Sequence, residues 1–371
     1  MKSMRTVCIL VCACMFLPLA AFSQQSSTGN ESPGITISKF IDDLTVTGDL
    51  RIRFERREQD KAEGDDVNRE RWRTRFRLGA VWVNSAENWE IGAGLTTGGE
   101  VGTTTNDTWN EDEFFETGDI RLDYAYVRHN LGCVTLVGGQ QKNPFKTSWL
   151  LWDSDLRPTG LSVMYPKAPF FITAGGFDVR QYDDDYGIIY AIQAGANLDV
   201  QDITVLVAAS VYDFNGEFDR RNRPNPDYEY TIIDLYTSAK MALSDVKLTF
   251  YGQVFDNIGA EGREGEGVLD DDLDPEEEDL GWVLGVAGGF GKFSAAYAYA
   301  QVGADSCVGG LKDATFGNGV SSTDLKGHKI NLKYDFTKHF SLGGNIWIFE
   351  ALERSNQNEV TQYELEVNYN F

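Results

Sequence analysis

Four arginines stand at every second position in residues 71–77, RWRTRFR: Arg71, Arg73, Arg75 and Arg77, with Trp72, Thr74 and Phe76 between them. A line of guanidinium groups is a surface for anions, since each carries a permanent charge and a planar fork of donors. On a helix this spacing would scatter the side chains around the axis. On a strand it puts all four on one face. The opposite face continues apolar as Leu78, Ala80 and Trp82. Neither a packed core nor lipid accepts a row of charges, so the arginine face must meet water while the other face is of lipid grade. A sheet with those two faces is the wall of a transmembrane β-barrel.

The amino end supplies a compartment. Lys2 and Arg5 precede an apolar run from Val7 to Phe22, and Ala21-Phe22-Ser23 offers small residues at a cleavage point before Gln24. This reads as a secretory signal peptide, residues 1–23. Cys8, Cys12 and Cys14 lie within the apolar run rather than at the cleavage point, so lipidation is not expected. Residues 24–44 form a polar periplasmic leader in which Ile35 to Leu44 suit a short helix or a plug-like tail. No other apolar run approaches the roughly 18–20 residues of a membrane helix.

Alternating segments bounded by turn residues number sixteen, at approximately 45–56, 70–83, 88–98, 119–130, 133–142, 159–166, 169–179, 188–199, 201–213, 229–243, 246–257, 280–290, 292–302, 327–337, 339–350 and 360–371. Short links such as Leu131-Gly132, Ser244-Asp245 and Gly291 alternate with long polar ones near 57–69, 99–118, 143–158, 180–187, 214–228, 258–279, 303–326 and 351–359. Periplasmic turns alternating with extracellular loops are the mark of an even-stranded antiparallel barrel. Residues 45–371 therefore read as one all-β domain of about sixteen strands. Only Cys133 and Cys307 follow the signal segment, one beside a short turn and one in a long link. An apolar band of roughly 25 Å separates those ends, so no disulfide is expected.

The barrel assigns faces. Leu50, Ile52 and Phe54 point to lipid and Asp49, Arg51 and Arg53 to the lumen. Tyr363, Leu365, Val367, Tyr369 and Phe371 point out, and Gln362, Glu364, Glu366 and Asn368 point in. Trp72, Trp82, Tyr124, Tyr126, Tyr369 and Phe371 are expected in interfacial girdles.

The segments VTGDLRIRFE, RERWRTRFRLGAVW and QKNPFKTSWLLWDSDLRPTGLSV, with the aromatic Phe371, resemble the bacterial outer-membrane family called "putative porins" over most of the chain after residue 23. More loosely the chain is similar to general and phosphate-selective porins, which are trimers of sixteen-stranded barrels. The resemblance implies a homotrimer, and the closing YELEVNYNF is similar to the signal that the barrel-assembly machinery reads. No surface-layer-homology or coiled-coil segment precedes the barrel, so a peptidoglycan anchor is not expected.

A sixteen-stranded barrel leaves room for an aqueous channel. Arg51, Arg53, Arg71, Arg73, Arg75, Arg77 and Arg121 are the candidate pore-lining residues, a positive wall that would attract small anions. Asp49, Glu55, Glu364 and Glu366 on neighbouring strands offer the alternative, a wall neutralised by ion pairs. The third long link, Asn143 to Gly160, is the constriction loop that the resemblance implies, folded inward. Its Trp149, Leu150, Leu151 and Trp152 are too apolar for a loop in water and should pack against something. Asp153 and Asp155 are then expected to face the arginine wall. The link 261–279 holds eleven acids and one base, Arg263, without the glycine of a calcium loop. A solvated acidic loop fits it, with loose divalent bridging to lipopolysaccharide as the other reading.

The function expected is a porin, a water-filled channel for small hydrophilic solutes, with an adhesin or purely structural barrel as the alternative. No cofactor or metal site is foreseen. The three histidines, His129, His328 and His339, fall near the barrel rims beside no obvious nucleophile, so catalysis is not expected. The basic stripe is short and enclosed and the loops are acidic, which leaves nucleic acid without a surface.

Overall fold

The computed structural model describes residues 35–36, 43–61, 65–99, 102–111, 114–115, 117–179, 187–216, 230–260, 274–353 and 358–371. Sixteen strands form the wall: β1 (Leu44–Asp60), β2 (Val67–Asn84), β3 (Trp89–Thr97), β4 (Ile120–Leu131), β5 (Val134–Gln140), β6 (Thr159–Lys167), β7 (Phe170–Asp178) and β8 (Gly187–Val200). The second half is β9 (Ile203–Gly216), β10 (Tyr230–Leu243), β11 (Val246–Asn257), β12 (Leu280–Phe290), β13 (Phe293–Val302), β14 (Leu325–Asp335), β15 (Phe340–Ala351) and β16 (Glu359–Asn370). Every strand pairs antiparallel with its neighbours in sequence, and β16 pairs back onto β1 from Glu359↔Asp60 to Asn370↔Asp49. Closure satisfies the backbone donors and acceptors that lipid would leave stranded.

The alternation of the sequence becomes the two faces of the wall. Leu365 is 55% exposed and the adjoining Glu364 only 5%. Leu50, Ile52, Trp72, Leu78 and Trp82 stand outward, and Asp49, Arg51, Arg53 and Arg73 are buried on the inside. A charge forced onto the outer face near the middle of a strand should be costly. Ala80→Arg is expected to destabilise the barrel by about 2–4 kcal/mol, read from urea unfolding in lipid vesicles; a cost near zero would mean that β2 does not meet lipid there.

Three local expectations are corrected. The first link is not 57–69 but 61–66, because β1 and β2 run on as a long hairpin with Glu55↔Arg71 and Arg57↔Arg69 as facing pairs. The link 99–118 is not free of structure. Gly98, at a φ of 116° that favours glycine, turns it back, and Asp107–Thr108 then pairs with Thr74 and Arg73 of β2. At the amino side, Ile35–Thr36 is a strand segment pairing with Val46 and Thr45 rather than part of a helix. Residues 1–34 and 37–42, with the signal segment, and 261–273, with most of the acidic link, lie outside the described residues.

A fourth correction concerns β4. The register on β3 shifts between Gly94 and Leu95: Leu95 faces Leu122, but Gly94 faces Tyr124. Asp123 is the extra residue of a β-bulge, so consecutive Asp123 and Tyr124 both point inward. Tyr124, Tyr126 and Arg128 thereby share the inner face with Gly94, Gly92 and Glu90. These tyrosines line the lumen and are not girdle residues. Cys133 is exposed and Cys307 buried, and both are free thiols.

Candidate functional site

Three adjacent strands, β16, β1 and β2, bring the charged residues into a grid. Its rows are Glu364–Glu55–Arg71, Glu366–Arg53–Arg73, Asn368–Arg51–Arg75 and Asn370–Asp49–Arg77. Arginine faces arginine in two of these rows, an arrangement that costs stability unless carboxylates intervene. They do. Glu55 takes Arg71 at 2.6 Å, Arg69 at 3.0 Å and Arg73 at 3.6 Å. Asp49 takes both Arg75 and Arg77 at 2.7 Å. Glu366 takes Arg53 at 2.8 Å and Arg51 at 3.7 Å, and Glu364 takes Arg53 at 3.1 Å. Seven guanidinium groups, Arg69 included, thus share four wall carboxylates, so pairing is extensive and positive charge remains in excess.

The link after β3 covers part of this grid. Asn106 accepts from Arg51 through its side chain at 2.6 Å and from Arg73 through its carbonyl at 3.2 Å, and Thr104 Oγ1 accepts from Arg73 at 3.1 Å. Arg121 lies at the long-loop end of β4, where it donates to the Gly98 carbonyl at 3.0 Å and pairs with Asp119 at 3.0 Å.

Around the rest of the barrel, from β7 to the β15 that adjoins the grid, the inner face is apolar toward the long-loop end, with Phe177, Tyr212, Phe255, Trp347 and Phe349 all buried. The link 141–158 packs against it. Trp149 donates to the Tyr251 hydroxyl at 3.2 Å and meets Trp347 and Phe316 edge-on at 5.4 and 5.3 Å. Trp152 is buried beside Tyr212, and Leu150 is fully enclosed. Lys329 of β14 sits over the Trp347 and Trp149 rings at 4.1 and 4.7 Å. Phe316 belongs to the link 303–324, which also reaches Arg57 through Asn318 at 2.8 Å and Gln59 through the Gly319 carbonyl at 2.8 Å.

Those two links are stitched together. The Asp153 N–H donates to the Leu311 carbonyl at 2.6 Å, the Asp313 N–H to the Trp149 carbonyl at 2.9 Å, and the Ala314 N–H to Asp153 Oδ2 at 3.3 Å. Asp153 is therefore turned away from the arginine wall, a correction to its expected place; docking of a second link on this side of the loop decides it. Asp155 does reach the wall, 3.7 Å from Arg77, and accepts from Thr105 at 3.0 Å. Burial alone would raise the Asp155 carboxyl, but Arg75, Arg77 and Arg51 more than offset this and hold it below the usual range.

Burial, and then the nearby Asp313, push Asp153 up to about 7, against the N–H groups of Asp155 and Ala314 that favour its charge. A raised acid favours the docked arrangement at low pH. That advantage is lost as pH rises through about 7, where Asp153 becomes charged beside Asp313, Asp155 and the Lys329 that Asp313 holds at 3.3 Å. Open-channel current should accordingly fluctuate more at pH 8 than at pH 5, and Asp153→Asn should remove the difference. Equal noise at both values in the wild-type protein would deny the contact this role.

A family model described as "Putative porin" matches residues 53–243, just over half of the 371 residues. The chain belongs to this porin family. No curated protein matches it significantly. Among solved structures, Pseudomonas putida OprB at low pH aligns at a TM-score of 0.50 and 11% identity, covering 89% of this chain and 93% of that one. An engineered Rhodopseudomonas blastica porin gives 0.51 and 12% over 88% and 100% of the two chains. Pseudomonas aeruginosa OccK8 (OprE) gives 0.52 and 11% over 88% and 98%. At such identities the likeness is one of fold, a closed sixteen-stranded barrel. Family and fold together make this porin-family chain an outer-membrane protein.

Several participants escaped the sequence reading. Asn106, Thr104 and Thr105 carry no charge and sit in a link of ordinary polar composition, so nothing announces their contact with the arginines. Phe316 and Lys329 are single residues whose roles depend on which link docks over which strand. The bulge at Asp123 leaves no compositional trace. Each histidine sits in a local contact: His129 with the Asn88 carbonyl, His328 with the Tyr297 hydroxyl and His339 with the Asn370 carbonyl.

Proposed function

We propose that the barrel is a water-filled channel for passive diffusion of small hydrophilic solutes, with a preference for anions. The observation that carries the preference is the inner grid, in which Arg51, Arg53, Arg71, Arg73, Arg75 and Arg77 outnumber Asp49, Glu55, Glu364 and Glu366. Fixed charge on the wall acts on any ion passing within a Debye length, about 8–10 Å at physiological salt. The acids that give the chain its net charge of −24 fall in large part in the long links and not on the strands. The link 141–158 is read as the constriction, with Asp155 set against Arg77 as its transverse field. Assembly as a homotrimer, export by residues 1–23, insertion by the barrel-assembly machinery and contact with lipopolysaccharide belong to the same reading. Purified protein in a planar bilayer tests it: discrete conductance steps are expected, with a reversal potential on the anion side in a potassium chloride gradient. Absence of steps would favour a structural or adhesive barrel, and a cation-side potential would reject the selectivity.

A further inference from the structure

Beside the arginine grid lies a surface that a plain diffusion pore does not need. The bulge at Asp123 turns Tyr124 and Tyr126 inward, with ring centroids 5.9 Å apart. Each ring rests on glycine. A Cβ added at Gly94 would run into the Tyr124 ring, one at Gly92 into the Tyr126 ring, and one at Gly79 into the Tyr124 hydroxyl. The rings therefore lie along the wall across β3 toward β2, and only glycine leaves room beneath them. Tyr126 is fixed in that pose by donating to Glu90 at 2.7 Å. Both residues are half-buried, so part of each phenol is left to the lumen.

The charges around this surface are ordered. Arg77 faces Thr96, one inward step from the Gly79–Gly94 row, and its side chain is 27% exposed, the most of the six arginines in the grid. On the other side Arg128 pairs with Glu90 at 3.2 Å and lies 5.8 Å from the Tyr126 ring centre. Arg77 and Gly79, over which the Tyr124 hydroxyl lies, are successive inward positions of β2, about 6.6 Å apart along the strand. A ligand that satisfies both has an anionic group for Arg77 and a ring to lay on Tyr124. Guanidinium forks match carboxylates, and phenol rings take either aromatic faces or the CH faces of sugars.

Resting on the anion-preferring channel above, we infer that this porin binds ring-bearing carboxylates on the Arg77–Tyr124–Tyr126 track as they pass. Acetate has the charge without the ring, and glucose the ring without the charge. In single-channel recordings benzoate or glucuronate should interrupt the chloride current at concentrations at which acetate and glucose do not; which of the two acids acts tells an aromatic from a sugar source. Replacing both tyrosines, Tyr124→Leu with Tyr126→Leu, keeps apolar bulk but removes the flat rings. It should weaken the block about tenfold while leaving the chloride-against-potassium reversal potential unchanged. Gly94→Ala, which displaces the Tyr124 ring without touching a charge, should weaken it in the same direction, so the inference does not hang on one variant folding. Block by acetate equal to that by both ring acids, or undiminished block in the tyrosine and glycine variants, would overturn it. A cation-side reversal potential in the wild-type protein would instead bring down the selectivity reading beneath it.

Discussion

Changing Arg73, Arg75 and Arg77 together to Gln is expected to move the reversal potential away from the anion side, toward the cation side. The eight guanidinium groups of this face, Arg57 and Arg69 among them, stand against Asp49, Glu55, Glu364, Glu366 and the loop's Asp155, three positive charges ahead of five carboxylates. Removing three bases leaves that set without net charge. Glu55 keeps Arg69 and Arg71, but Asp49 loses both arginines that hold it. A buried carboxylate stripped of its partners is costly, so the variant should also be made with Asp49→Asn, which leaves the set one charge positive and should shift the potential less. The converse pair, Glu364→Gln with Glu366→Gln, should strengthen anion preference. If all three variants kept the wild-type potential, the grid would be ion pairing that stabilises the wall and nothing more.

Replacing Trp149 and Trp152 by Ser is expected to widen the channel. The two indoles are the apolar anchors of the link 141–158, one wedged between Trp347 and Phe316 and the other buried beside Tyr212. Losing a buried Trp side chain typically costs about 3–5 kcal/mol, ample to undock a link from a wall that stays closed by its own strand pairing. Because Phe316 packs on Trp149, the link 303–324 should loosen with it. Single-channel conductance should rise while the heat-resistant migration of the folded barrel on gels is kept. Unchanged conductance with intact migration would show that this link is not the narrowest part of the pore.

The strand count, the pairing order and the faces of most strands were legible because a period of two, repeated sixteen times between alternating short and long links, has few other solutions. The partners Asp49, Glu55, Glu364 and Glu366 were legible too, since closing β16 onto β1 puts them beside the arginines. What alternation cannot convey is a change in its own phase. One added residue at Asp123 moved Tyr124 and Tyr126 from the lipid side to the lumen, although a tyrosine fits either place. Asp153 was misplaced for another reason. Its partner, Leu311, lies in a link that reaches it only once the barrel has closed, and such long-range docking has no local signature.

The meeting of β16 with β1 bears on how the barrel comes together. Before that meeting, the hairpin of β1 and β2 carries Arg51, Arg53, Arg57, Arg69, Arg71, Arg73, Arg75 and Arg77 on one face with only Asp49 and Glu55 among them. The carboxylates that relieve the repulsion arrive with the strand farthest away in sequence. An unclosed sheet therefore holds electrostatic tension along one edge, and a strand from elsewhere in the chain that paired there without acids at matching positions would not discharge it. Charge acts here as a proofreading device: it rewards the one long-range pairing that completes the cylinder and penalises premature closure on too few strands.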